Sequence, residues 1–126
     1  MVVTRNIILY SLLVMGLSAL FGCGKKADEN KPIADVKAEA EQMNTKELRA
    51  TALAYKEAIM AKQKDVEKLA AKLKEIPVTE MLGEKAKKLK ADNNSLNKSI
   101  SALTERFQIY YKKLKEEGGD VSGLEL

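Results

Sequence analysis

Two apolar stripes separated by a proline constrain this chain more than any other feature. Leu48, Ala52, Tyr55, Ile59, Lys62, Val66, Leu69, Leu73 and Ile76 alternate spacings of four and three. Leu82, Ala86, Leu89, Asn93, Leu96, Ile100, Leu103, Phe107, Tyr110 and Leu114 do the same. That spacing keeps one side of a helix apolar, and its 3.5-residue period is that of a coiled-coil seam. Pro77 lacks an amide donor and disfavours helical geometry in the residue before it, so the first long helix covers 44–76. Thr79 is placed to cap a second long helix over 79–117. Joined by a tight turn at Pro77-Val78, the two make an all-α, antiparallel, coiled-coil-like helical hairpin. The first helix would be about 48 Å long at roughly 1.5 Å per residue.

A register follows from pairing Leu73 with Leu82, which sets a constant residue-number sum of 155. The same sum pairs Val66 with Leu89, Tyr55 with Ile100 and Leu48 with Phe107. It also pairs Lys62 with Asn93, the two residues that interrupt the stripes. A polar layer in a seam costs stability but fixes register and orientation, and Asp92 is placed to neutralise Lys62. The plainer alternative is that Lys62 snorkels to water and Asn93 faces solvent. Asp92-Asn93-Asn94-Ser95 is also a run of weak helix formers that suits a loop, although the heptads on both sides argue for continuity.

Composition narrows the chemistry. The chain has 126 residues, no His, no Trp and one Cys. Without His there is no imidazole base and no His-ligated metal, and one Cys makes neither an internal disulfide nor a CxxC pair. Charged residues at 32% and only seven Gly and two Pro suit long exposed helices. Ser95, Ser99 and Ser101 have no His partner. The carboxylates Glu116, Glu117, Asp65 and Glu67 read as helix surface, so no catalytic residue is assigned and the chain is read as a non-enzyme.

The N-terminus has a different character. Arg5 is the sole charge before Lys25, and the 15 residues from Ile7 to Phe21 are apolar, the length of a signal-peptide core and short for a membrane span. Leu20-Phe21-Gly22-Cys23 follows. On its own the stretch also fits a signal-anchor helix, or an ordinary signal peptide with a chance Cys. The four residues resemble the lipobox of bacterial lipoproteins. The resemblance implies that residues 1–22 are removed and that Cys23 carries a diacylglyceryl thioether and an N-acyl chain. That covalent lipid is the sole cofactor-like group expected. It also implies the bacterial cell envelope, facing away from the cytoplasm. With Gly24 rather than Asp after the cysteine, it implies the inner leaflet of the outer membrane in a host with two membranes. Two or three acyl chains anchor stably, at about 0.8 kcal/mol per buried methylene. Removing 22 of 126 residues leaves 104, with 21 basic against 18 acidic side chains, a net charge near +3 that does not mark a nucleic-acid binder.

Residues 23–32 have no apolar periodicity and read as a lipidated flexible tether. Ile33, Val36, Ala40 and Met43 read as a short helix over 33–43. Asn44 with Glu47 matches a capping box, with Met43 and Leu48 placed as its staple, so a new helix starts there; one unbroken helix through Asn44 is the alternative. Gly118 ends the last helix, and 118–126 reads as a frayed tail. Leu53, Met60, Ile109 and Tyr111 fall outside the seams. They are free to receive the short helix or a second copy of the hairpin, making a homodimer.

These features point to a lipid-anchored extracytoplasmic spacer, adaptor or assembly factor. It would work through protein–protein contacts with an envelope partner and be held at the membrane by its lipid. One alternative is a direct binder of anionic envelope polymer or lipid through Lys85, Lys87, Lys88 and Lys90, a run that otherwise reads as a solvated face. Another is a self-associating structural coiled coil. The small murein lipoproteins share lipid and heptads, but the hairpin turn and the ending Leu124-Glu125-Leu126, without a terminal Lys, separate this chain from them.

Overall fold

The computed structural model describes residues 26–126. The expected signal peptide, the lipobox-like residues 20–23 and the lipidation expected at Cys23 lie outside the described residues. Within them the chain is all-α: α1 (Ile33–Gln42), α2 (Thr45–Lys74), a 3-10 turn (Val78–Glu80) and α3 (Glu84–Glu116), with no strand. α2 and α3 pack against each other as a helical hairpin, and α1 lies on α3.

The start of α2 is set by the capping box. The Glu47 amide donates to Asn44 Oδ1 at 2.8 Å, and Glu47 Oε2 accepts from the Asn44 amide at 3.1 Å. Met43 is extended, so the chain bends there and α1 folds back. Val36 and Ala40 of α1 are then buried with Leu48, Ala52, Tyr55 and Ile59 of α2 and Leu103, Phe107, Tyr110 and Leu114 of α3. The short helix thus docks on its own hairpin. Ile109 and Tyr111 pack beside this cluster, while Leu53 and Met60 remain exposed.

The turn departs from the sequence reading. α2 ends at Lys74, and α3 starts at Glu84 with Gly83 as its N-cap, so Thr79 caps nothing and sits in the 3-10 turn. Bonds from Glu80 N to Pro77 O (2.8 Å), Met81 N to Val78 O (3.3 Å) and Gly83 N to Glu80 O (2.9 Å) coil residues 77–83 into a knob. Leu82 is 85% exposed and does not pair with Leu73. Leu69 and Leu73 instead pack on Ile76, Ala86 and Leu89. Val66 shares a groove with Asn97 and Ile100, and the Tyr55 ring lies 5.4 Å from that of Tyr110. The pairing is therefore displaced by about one heptad from the sum-155 register. α3 runs unbroken through Asp92–Ser95.

Two further segments are more ordered than the sequence suggests. The presumed flexible tether is held from Ala27 onward. Ala27 packs on the core, the Asp28 amide donates to Tyr55 Oη at 3.1 Å, and Tyr55 Oη donates back to Asp28 O at 3.2 Å. The presumed frayed tail also folds back. Gly118 adopts φ +73°, and the Gly119 amide reaches Leu114 O at 2.9 Å. A side chain at Gly119 would meet Leu114 Cδ1 at 2.2 Å, so the fully buried Leu114 would have to shift to admit it. Leu124 ends fully buried.

The fold thus has three parts: a closed head containing both ends of the described chain, a bare stalk, and the knob. From Met60 to Glu75 and from Lys90 to Ala102 no residue is buried.

Candidate functional site

Within the head, polar side chains hold structure. Arg106, 9% exposed, donates from Nε and Nη2 to Lys31 O at 2.9 and 2.7 Å, and from Nη1 to Ala102 O at 2.8 Å. Arg49 donates to Asp120 O and Ser122 O at 2.7 and 2.9 Å, and Lys56 Nζ to Gly123 O and Glu125 O at 2.7 and 2.6 Å. Asp120 is held below the usual carboxylate range by the Ser122 hydroxyl and amide that donate to it. Lys113 bridges Glu41 at 2.9 Å and Glu117 at 3.1 Å, contacts that raise its pKa.

Tyr110 is fully buried, and its hydroxyl donates to Glu39 Oε2 at 3.3 Å. Burial, then the neighbouring Tyr55 and Glu39, push its pKa well above the ordinary value near 10. In the unfolded chain this phenol ionises at its ordinary value near 10, so above about pH 10 the folded state holds a proton that the unfolded state has lost. Stability must then fall as pH rises. The alkaline fall in melting temperature above about pH 10 should be shallower in Tyr110→Phe than in the parent chain. Parallel curves would show that this phenol does not contribute.

The stalk is different. Its seam residues Lys62, Val66, Leu69, Leu73, Asn93, Leu96 and Ile100 are only partly covered. One shallow groove runs between Asp65, Lys68, Leu69 and Lys72 of α2 and Asp92, Ser95 and Leu96 of α3. On another flank Gln63, Val66 and Glu67 face Asn97 and Ile100. Both grooves have apolar floors and charged or polar rims, the composition of a contact surface.

The structure does not bring Lys62 and Asn93 together. Lys62 Nζ lies 3.8 Å from Glu29 Oε1 in the segment before α1. Asn93 follows Asp92, which is level with Leu69, a residue two turns further along α2 than Lys62, or about 10 Å. Lys85, Lys87, Lys88 and Lys90 are all exposed around the buried Ala86 and Leu89, and none forms an ion pair among the described residues. Among the described residues no cluster of three or more His, Cys, Asp or Glu is placed to hold a metal, and no helix is long and apolar enough to cross a membrane.

Arg106, Arg49, Lys56 and the Tyr55 hydroxyl were not singled out by sequence reasoning. Arg106 carried a faint signal: it lies three residues after Leu103 and four before Tyr110, beside the buried stripe. No family model, curated protein or solved structure matches this chain.

Proposed function

We propose that this chain is a lipid-anchored extracytoplasmic adaptor or spacer of the bacterial cell envelope, acting through protein contacts along its stalk. The observation that carries the reading is the uncovered length of α2 and α3 between the head and the knob, where no residue is buried. A hairpin that needed only to be stable would cover this seam, as the head does with α1 and the tail. Left open, its half-exposed leucines, isoleucine and valine suit helix-to-helix packing with a partner, in coiled-coil fashion. The lipid on Cys23 would confine the stalk near that partner and raise its effective concentration.

A photoreactive side chain at Leu69 or Leu96, in the full chain expressed in a bacterial envelope, should give one discrete adduct. The same group at Lys46 in the head should give none. An adduct with a second copy of this chain would replace the adaptor reading by a self-associating coiled coil, and no adduct at either stalk position would overturn both.

The anchor has its own test. Cys23→Ala should abolish incorporation of labelled fatty acid and leave residues 1–22 attached, read by the intact mass of the membrane-extracted chain. Processing and labelling unchanged in this variant would remove the lipoprotein assignment.

A further inference from the structure

We propose that the knob of the hairpin is a docking element for an anionic lipid bilayer. Val78 is 90% exposed and Leu82 85%, the two most exposed large apolar side chains of the described fold. They stand on a loop whose backbone is fixed by its own hydrogen bonds, while Met81 between them turns inward onto Ile76 and Leu89. Exposure here is therefore built into the turn.

The charge around the knob is equally distinctive. Residues 72–90 hold Lys72, Lys74, Lys85, Lys87, Lys88 and Lys90 against Glu75, Glu80 and Glu84, an excess of three. That equals the net charge expected for the whole chain after residue 22, so the remainder is balanced. None of the six lysines has an ion-pair partner among the described residues. Lys85 and Lys87 also sit in the first turn or so of α3, where the positive end of the helix dipole disfavours cations. Helix stability does not explain their placement.

Geometry selects the occupant. Lys85 and Lys88 line one groove with Lys72, Leu89 and Asp92, while Lys87 and Lys90 leave α3 on other sides at about 100° per residue, so cations flank the tip on more than one side. A protein groove presents its carboxylates on defined sides. A bilayer presents negative charge on all sides of an inserted tip and an apolar phase beneath it. Cations on more than one side of a tip that carries two exposed apolar side chains match the second arrangement. Each net positive charge near such a surface gives about a fivefold gain, so three favour the inserted tip on the order of a hundredfold over a neutral bilayer. The proposal does not rest on the stalk reading, which uses a different surface. Because the knob lies at the far end of the hairpin from the head, the bilayer it enters faces the one that a lipid on Cys23 would occupy.

The chain contains no Trp, so Leu82→Trp makes a sole reporter at an exposed position. The full-length variant would be reconstituted in vesicles of phosphatidylcholine alone and of phosphatidylcholine with about a third phosphatidylglycerol. Trp emission should shift to the blue and be quenched by brominated acyl chains in the anionic vesicles only. Both effects should be lost at 1 M salt, where the Debye length is about 3 Å. Replacing Lys85, Lys87, Lys88 and Lys90 by Gln in the same chain should abolish the shift with helical content unchanged. Equal emission in both vesicles, or a shift that survives the four replacements, overturns the proposal. Salt-sensitive binding to a soluble polyanion, with no blue shift on anionic vesicles, would assign the lysines to a polymer and overturn it as well.

Discussion

Leu124→Ala should destabilise the folded chain by about 2–4 kcal/mol, a large fraction of what a domain this size has to lose. Leu124 is fully buried with Leu48, Tyr55, Phe107 and Leu114, although only Glu125 and Leu126 follow it in the sequence. Its removal opens a cavity under the tail and removes the larger of the two apolar contacts, Leu124 and Val121, that offset the ordering of residues 119–126. Arg49 and Lys56 would then hold main-chain carbonyls at the surface, and exposed hydrogen bonds of that kind do not hold a segment alone. Chemical denaturation measures the loss. Exchange of the Gly119 and Leu124 amides, bonded to Leu114 O and Val121 O, should accelerate before global unfolding. A change below about 0.5 kcal/mol would mean that the tail does not belong to the head's core.

The contrast between helices and ends shows what a sequence can display. The stripes at 48–76 and 82–114 and the capping box at Asn44 are local patterns, so they are legible without knowing what they pack against. Register is not local. A heptad pairing slipped by seven residues matches apolar positions as well as the original, and only the turn decides between them. The sum-155 register assumes a tight turn, whereas residues 75–83 form a wider one that ends with Gly83 as the N-cap of α3. One signal favoured the wider turn. The second stripe continues to Tyr110 and Leu114, beyond the Phe107 that the tighter register places opposite Leu48, and those two residues are fully buried.

Candidate surfaces were legible to different degrees. The lysine run was visible, but its relation to Val78 and Leu82 depends on a knob that the heptad reading absorbed into the helix. The Lys62–Asn93 layer was inferred from two coincident stripe breaks, and a shift of one heptad separates them. The segments before α1 and after α3 offered no pattern because the head holds them largely by their main-chain carbonyls, which every residue carries alike.

Arg106→Met should cost about 2–3 kcal/mol and release residues 27–32 from the head. The guanidinium is nearly buried and is spent on two carbonyl oxygens, Lys31 O through two donors and Ala102 O through a third. Charged-to-neutral hydrogen bonds of this kind are worth about 1.5–3 kcal/mol each, less the desolvation of the cation. Met fills much of the volume but donates nothing, so Lys31 O loses these two donors. Lys cannot substitute fully, because it lacks the planar fork that spans both acceptors. Arg106→Lys should therefore recover only part of the loss. Beyond stability, the guanidinium sets reach. If the chain is anchored at Cys23 as proposed, releasing residues 27–32 adds six residues of reach, and the head could stand about 20 Å further from the bilayer at roughly 3.5 Å each. Protease cleavage between Lys31 and Pro32 is poor in any case, so the readout is exchange of the Asp28 amide, which donates to Tyr55 Oη. It should become fast in Arg106→Met under conditions where the Tyr55–Tyr110 core stays protected. Protection of Asp28 equal to that of the parent chain would show that Tyr55 and Ala27 hold the strap without the arginine.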